Sequence, residues 1–138
     1  MKRIVYSIVL LALVGLLSAA CGSQIPVTGE KVAPSKLEPV EGTDLSRVIL
    51  TEKAAERIGI EIVVASGSEV PYDAVIYDIE GNTWIYTNPA PFTFVREPIV
   101  IDHIEEDTAI LSESLSSELK VVTVGVAELW GTETGVSK

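Results

Sequence analysis

The stretch VPYDAVIYDIEGNTWIYT, residues 70–87, decides the fold, because apolar side chains alternate with other side chains on both sides of a turn. Apolar residues at every second position are typical of a strand with one buried face. Glu80, Gly81 and Asn82 interrupt this alternation, and Gly81 supplies the positive φ that tight hairpin turns need. TWIYT (83–87) resumes it, so residues 70–88 are predicted to form a β-hairpin.

The segment before the hairpin predicts one short helix and one strand. In TEKAAERI (51–58), Thr51 suits a helix N-cap, and Gly59 suits the position just after the helix end. After an apolar run at 48–50 that is also predicted as a strand, Ile60, Ile62 and Val64 alternate with Glu61 and Val63, which predicts a strand with one face buried. SGSE (66–69) is predicted as a turn because small and polar residues cluster there.

The segment after the hairpin continues the β pattern. FTFVREPIVIDHI (92–104) alternates as a strand, with Pro98 indicating an edge strand or a bulge. EED (105–107) is predicted as a turn, TAILS as a short strand, SESLSSEL (112–119) as a polar loop and KVVTVG (120–125) as a last strand. Residues 47–131 are therefore predicted as a mainly β domain, a small antiparallel barrel or sandwich of six or seven short strands with one short helix.

The charge balance excludes one class of partner. The 138 residues include 20 acidic and 10 basic ones, a net charge of −10, and no Lys/Arg cluster occurs. Such a chain repels nucleic-acid phosphates, so no nucleic acid is expected as a partner. Solubility is the simplest explanation of the acidity.

The N-terminus predicts export. Lys2 and Arg3 precede an almost wholly apolar run to Leu17, and small residues lead to Cys21, the only cysteine. Residues 1–20 are therefore predicted as a signal peptide, and Cys21 as a lipidated residue that anchors the chain to a membrane. The end of this segment resembles a lipobox, although Ser18 stands where leucine is usual. An uncleaved signal anchor and ordinary cleavage that leaves a free thiol are the alternatives.

The regions that flank the predicted domain have the composition of unstructured chain. Residues 22–46 hold Pro26, Pro34 and Pro39 among small and charged residues, so residues 21–46 are predicted as the lipidated cysteine with a flexible linker. Residues 132–138 are predicted as a disordered tail. The exported chain is expected in the cell envelope, on the outer face of the cytoplasmic membrane or the periplasmic side.

Few residues suggest catalysis or metal binding. His103, the only histidine, lies next to Asp102 and is predicted to be an exposed, hydrogen-bonded strand residue. The carboxylates at 105–107 lack the spacing of a calcium loop, and no zinc-binding or phosphate-binding pattern occurs. The aromatic residues at alternating strand positions are predicted to pack in the core or across strands. No catalytic residue, metal or cofactor is predicted, and the chain is not expected to be an enzyme.

Three segments, in order, resemble the periplasmic adaptor subunits of RND-type efflux pumps, also called membrane fusion proteins. LTEKAAERIGIEIVVA (50–65) is similar to the segment that opens their mature part, and VPYDAVIYDIEGNTWIYTNPAPFTFVREPIVI (70–101) to their membrane-proximal region. AILSESLSSELKVVTVGVAEL (109–129) is similar to the close of that region, which ends in a short helix. The resemblance covers nearly all of residues 47–130.

The resemblance implies a module without the rest of an adaptor. Between Ala65 and Val70 the family has lipoyl-like halves, a long helical hairpin and much of a β-barrel, none of which is present here. What it implies is a lipoprotein that docks on a membrane transporter or another envelope protein, with no catalytic residues to carry over. The alternative is an envelope lipoprotein that binds a small ligand or cation.

Overall fold

The structure, a computed structural model, describes residues 32–135, apart from the side chains of 116–118. The prediction of a mainly β fold is confirmed: the described residues form eight strands and two α-helices, where six or seven strands and one helix were expected. In chain order the elements are β1 (Ser35–Pro39), β2 (Ser46–Leu50), α1 (Glu52–Ile58), β3 (Glu61–Pro71), a 3-10 turn (Tyr72–Ala74), β4 (Ile76–Tyr77), β5 (Thr83–Ala90), β6 (Thr93–Ile99), β7 (Ile101–Glu105), β8 (Thr108–Val124) and α2 (Val126–Thr134).

The strands form one antiparallel sheet. Its order is β1-β2-β6-β5-β8-β3, with β4 paired to β5 and β7 paired to β8. Within the part of the chain that the structure describes, the sheet is open, since β1 and β3 pair on one side only. Backbone pairing therefore does not close a barrel. β1 and β3 are the two end strands of this order, and β4 and β7 also pair on one side only.

Two hydrophobic cores lie on opposite faces of the central strands. Tyr86 and Val122 belong to one core, and their chain neighbours Ile85 and Val121 belong to the other. Successive side chains of a strand point to opposite faces, so both faces of β5 and β8 are covered. Both helices contribute to the first core, through Ala54, Ala55 and Leu129, so we call this the helix side of the sheet.

The prediction of a flexible linker over residues 21–46 is wrong for its later part. Residues 35–39 form β1, which pairs with β2 along its whole length, with Leu37 opposite Val48. Only residues 21–31 of the predicted linker lie outside the described residues. Because β1 is an edge strand with mostly exposed side chains, it carries the polar, proline-containing composition of a linker. Its structure comes from backbone bonds to β2, which composition does not reveal.

The turn predicted at 66–69 and the loop predicted at 112–119 lie instead within β3 and β8. The two strands pair with each other, but their residues do not match one to one. From the pair Ala65↔Leu119 to the pair Glu69↔Ile110, β3 spans four residues and β8 spans nine. The extra residues make an irregular, bulged ladder, and Gly67 takes a φ of 70° within it. The polar residues thus mark a bulge instead of a chain reversal.

Several local predictions are confirmed. Helix α1 starts after Thr51, whose hydroxyl accepts a hydrogen bond from Ala54 N at 3.2 Å, and it ends at Gly59. The turns at 80–82 and 105–107 connect β4 to β5 and β7 to β8. The start of the hairpin predicted at 70–88 is wrong, because residues 70–71 end β3 and pair with β8, and residues 72–74 form the 3-10 turn. Pro98 lies in the part of β6 that pairs with β5 alone among the described residues, so it occupies the predicted edge position.

The C-terminal boundary at 131 is wrong as well. Helix α2 runs from Val126 to Thr134, through residues assigned to a disordered tail, while 136–138 lie outside the described residues. The helix begins after Gly125, where a Cβ would lie 2.4 Å from Ile60 Cδ1, so the close approach requires glycine. Leu129 on its inner face is fully buried, which holds the helix on the sheet.

Candidate functional site

The residues that carry the export prediction lie outside the described part of the chain. These are residues 1–20, predicted as a signal peptide, and Cys21, predicted as the lipidation site, so both stay predictions. Among residues 32–135 no helix is both long and apolar enough to cross a membrane.

His103 lies on β7 with both ring nitrogens next to carboxylates. Its Nδ1 is 2.8 Å from Asp102 Oδ2, and its Nε2 is 3.1 Å from Glu105 Oε1. The hydrogen bond to Asp102, followed by that to Glu105, raises the pKa of His103. All three side chains are exposed, which confirms the prediction of an exposed, hydrogen-bonded residue. Within residues 32–135, no group of three or more histidine, cysteine or acidic side chains is placed to hold a metal ion.

A buried polar cluster that was not foreseen lies under helix α2. Arg96 Nε on β6 is 2.9 Å from Glu133 Oε2, and these two side chains are only 12% and 4% exposed. The Arg96 guanidinium lies between two indole rings, 4.7 Å from the Trp84 centroid and 4.6 Å from the Trp130 centroid. Arginine is suited to this position because its flat, weakly hydrated group stacks on aromatic faces.

Glu133 also accepts two hydrogen bonds in this cluster. The Tyr86 hydroxyl donates a 2.5 Å hydrogen bond to Glu133 Oε2, and Ser46 N donates to Oε1 at 3.2 Å. Burial and then the bond to Glu133 raise the pKa of Tyr86, which therefore stays protonated. The N–H at Arg96 Nε has no well-aligned acceptor, so its contact with Glu133 is electrostatic. The cluster joins the helix to β2, β5 and β6.

The sequence contains a partial signal for this cluster. Arg96 stands two residues after the buried Phe94, and Tyr86, opposite Arg96 on β5, stands two residues after Trp84. Side chains two apart on a strand share a face, so all four point to the helix side. The alternation thus places Arg96 inward, but nothing local in the sequence pairs it with Glu133.

A second polar feature is the turn between β4 and β5. The Asp78 carboxylate accepts four hydrogen bonds, from Glu80 N, Asn82 N, Asn82 Nδ2 and Trp84 Nε1, at 2.8–3.0 Å. The side-chain bonds from Asn82 and then Trp84 lower the pKa of Asp78 to about 2. The turn that these bonds order presents Ile79 fully to solvent.

We expect the Asp78 carboxyl to titrate near pH 2, well below its ordinary value of 3.8. Because the folded-state pKa is lowered, the stabilisation by Asp78 is complete above pH 3.8 and is lost as the pH falls through about 2. Carboxyl chemical shifts recorded against pH give the midpoint, with Asp78→Asn identifying the signal. A midpoint close to 4 would show that the four bonds do not form in solution.

A third feature is a run of exposed apolar residues on the edge strand β3. Ile62, Val63 and Val64 are all exposed, although they are consecutive and therefore point alternately to both faces of the sheet. Among the described residues, β3 pairs with β8 alone. We call Glu61–Ala65 the β3 edge: it combines exposed apolar side chains on both faces with one unpaired backbone side.

An apolar groove adjoins the β3 edge on the helix side. It has a volume of about 330 Å³ and is lined by residues of α1, the start of β3 and the β5–β6 turn. Ile62 belongs to both the groove and the edge, and Phe92 lies across from it with an unusual φ of 55°. A bulky residue with positive φ is rare, and here it holds a half-exposed aromatic ring beside the groove.

Comparisons with known proteins identify no relative. No protein-family model, no curated protein and no solved structure matches the chain. The class defined by the fold and the candidate site is therefore a small, open-sheet, mainly β domain with one exposed apolar edge.

Proposed function

We propose that this protein is a non-enzymatic envelope lipoprotein that docks on a membrane transporter or another envelope protein. The observation that supports docking is the β3 edge, where three consecutive apolar side chains lie exposed. A long exposed apolar edge strand promotes aggregation unless a partner covers it. Burying apolar surface is also the main driving force for protein association.

The sequence supports the location and the kind of partner. The predicted lipid on Cys21 would hold the domain at a membrane surface, where a transporter is within reach. The resemblance of residues 50–101 to efflux-pump adaptors favours a transporter over other envelope proteins. The acidic net charge of −10 argues against nucleic acid or an anionic lipid surface as the occupant of the edge.

Site-specific photo-crosslinking in cells tests this function. A photoreactive amino acid at Val64, which is 66% exposed on the β3 edge, should give an adduct with one specific envelope protein. Val100 is 64% exposed but lies outside the strands, so the same probe there is a matched control and should give little adduct. Crosslinking is expected to depend on position because only an occupied edge holds the probe against a partner.

Identification of the adduct by mass spectrometry separates the outcomes. A transporter subunit or another envelope protein captured at Val64 but not at Val100 supports docking. Recovery of uncrosslinked monomer from both positions, at normal expression and in the membrane fraction, would contradict it.

A further inference from the structure

We propose that the β3 edge, in the docking function just described, accepts an extended strand from the partner, with a short apolar run flanked by basic residues. The added strand would pair with the backbone of Glu61–Ala65 and extend the sheet beyond β3. This inference rests on the proposed function and specifies the chemistry of the segment that binds.

The two end strands of the sheet, β1 and β3, differ in the residues that block the addition of another strand. The other edge, β1, has Lys36, Glu38 and Pro39, and Lys36 Nζ is 2.8 Å from Glu38 Oε1. Charged side chains and proline are the usual protection of a sheet edge. Residues 62–65 of β3 contain neither, so of the two end strands β3 is the one open to another strand. Of the other strands with an unpaired side, β4 has only two residues and β7 carries Asp102, His103 and Glu105.

Both hydrophobic cores extend to the β3 edge. Their presence there determines which part of the partner strand must be apolar. Ile62 is opposite Val122 of the helix-side core, whereas Val63 is opposite Val121 of the other core. A strand placed next to β3 would therefore cover apolar surface with both of its faces. Strands buried on both faces carry continuous apolar runs, so we expect such a run in the partner.

The length of the run follows from the ladder. The pairing of β3 with β8 is consecutive from Ile62 to Ala65, and it becomes irregular before Gly67. A bulge twists a strand and disrupts regular pairing. The regular part of the edge thus matches an added segment with about three central apolar residues, one for each exposed side chain of β3.

Charge selects basic flanks and disfavours a second copy of this chain. Glu61 is exposed at one end of the edge, and Glu69 is exposed beyond the bulge at the other. Among residues 32–135, 19 are acidic and 6 are basic, so two copies would approach with strong like-charge repulsion. A partner segment with lysine or arginine at both ends gains the opposite interaction, which also speeds its association.

A pair of synthetic peptides tests the inference on the full chain. One peptide has valine, isoleucine and valine between two lysines at each end, and the control has glutamates in place of the lysines. We expect the lysine peptide to slow hydrogen exchange by about tenfold or more at the amides of Glu61–Ala65 that point away from β8, because new backbone bonds protect those amides. The glutamate peptide should have no effect, and added salt should weaken the lysine peptide.

Variants locate the binding. Val64→Lys places a positive charge on the edge and should reduce binding of the lysine peptide, whereas Val100→Lys, of similar exposure, should not. Circular dichroism tests whether both variants fold. If Val64→Lys does not fold, the comparison of the lysine and glutamate peptides on the unmodified chain still tests the inference.

The outcomes separate this inference from the docking function. Equal binding of both peptides, protection away from β3, or concentration-dependent dimerisation that Val64→Lys abolishes would each overturn strand addition by a basic segment. If a crosslink at Val64 still captures an envelope protein in those cases, the docking function stands and only its mode is wrong.

Discussion

Replacing Glu133 with alanine is expected to destabilise the domain by about 3–5 kcal/mol, the usual effect of removing one partner from a buried ion pair. The variant leaves the Arg96 guanidinium buried between Trp84 and Trp130 without its counter-charge. It also removes the acceptor of the Tyr86 hydroxyl and of Ser46 N. A domain of this size has a total stability of about 5–15 kcal/mol, so the loss is a large share of it.

Chemical denaturation monitored by tryptophan fluorescence measures the effect, because Trp84 and Trp130 contact the pair directly. Glu128→Ala is the matched control: it makes the same change on the same helix, but at an exposed position, and should cost less than about 1 kcal/mol. An equal, small effect of both variants would show that the cluster does not hold α2 on the sheet.

The double replacement Arg96→Met with Glu133→Leu measures how much the intact ion pair stabilises the domain. The single replacement of Glu133 measures instead the loss of stability when one charge is left without its partner. Buried ion pairs replaced together by apolar residues are often neutral or stabilising, because both desolvation costs disappear. We therefore expect the double variant to be more stable than Glu133→Ala alone. If instead the double variant loses as much stability as the single variants Arg96→Met and Glu133→Leu lose together, Arg96 and Glu133 are not energetically coupled.

Replacing Cys21 with serine is expected to move the protein from the membrane fraction almost completely to the soluble fraction. Stable anchoring needs two or more acyl chains, each contributing about 0.8 kcal/mol per buried methylene group, and serine at position 21 removes the thiol that would carry them. The remainder after residues 1–20 has 20 acidic and 8 basic residues, so it is not expected to adhere to anionic lipid.

Fractionation and intact-mass analysis together decide this prediction. The unmodified chain should start at an acylated Cys21, and Ser23→Ala, a change of one hydroxyl two residues away, should leave anchoring intact. An unmodified chain that stays in the membrane with Met1 still attached would instead support an uncleaved signal anchor. A mature chain with an unmodified Cys21 thiol would support ordinary cleavage.

The candidate site was harder to predict from the sequence than the local structure was. The prediction of aromatic residues in the core is confirmed for Tyr86 and Phe94, but Tyr72, Tyr77 and Phe92 are exposed. Strand alternation states which residues share a face and does not state whether another layer covers that face. For the same reason the prediction that β3 buries the face with Ile62 and Val64 is wrong, since both side chains are exposed.

The sequence by itself determined the features that depend on neighbours in the chain. The cap at Thr51, the turns at 80–82 and 105–107 and the edge position of Pro98 follow from the backbone preferences of a few adjacent residues. Only the tertiary structure decided that residues 35–39 form β1, that 112–119 belong to β8, and that Glu133 binds Ser46 N, 87 positions earlier in the chain. Those features depend on backbone and charge partners far away in the sequence, and no local pattern specifies which distant segment will supply them.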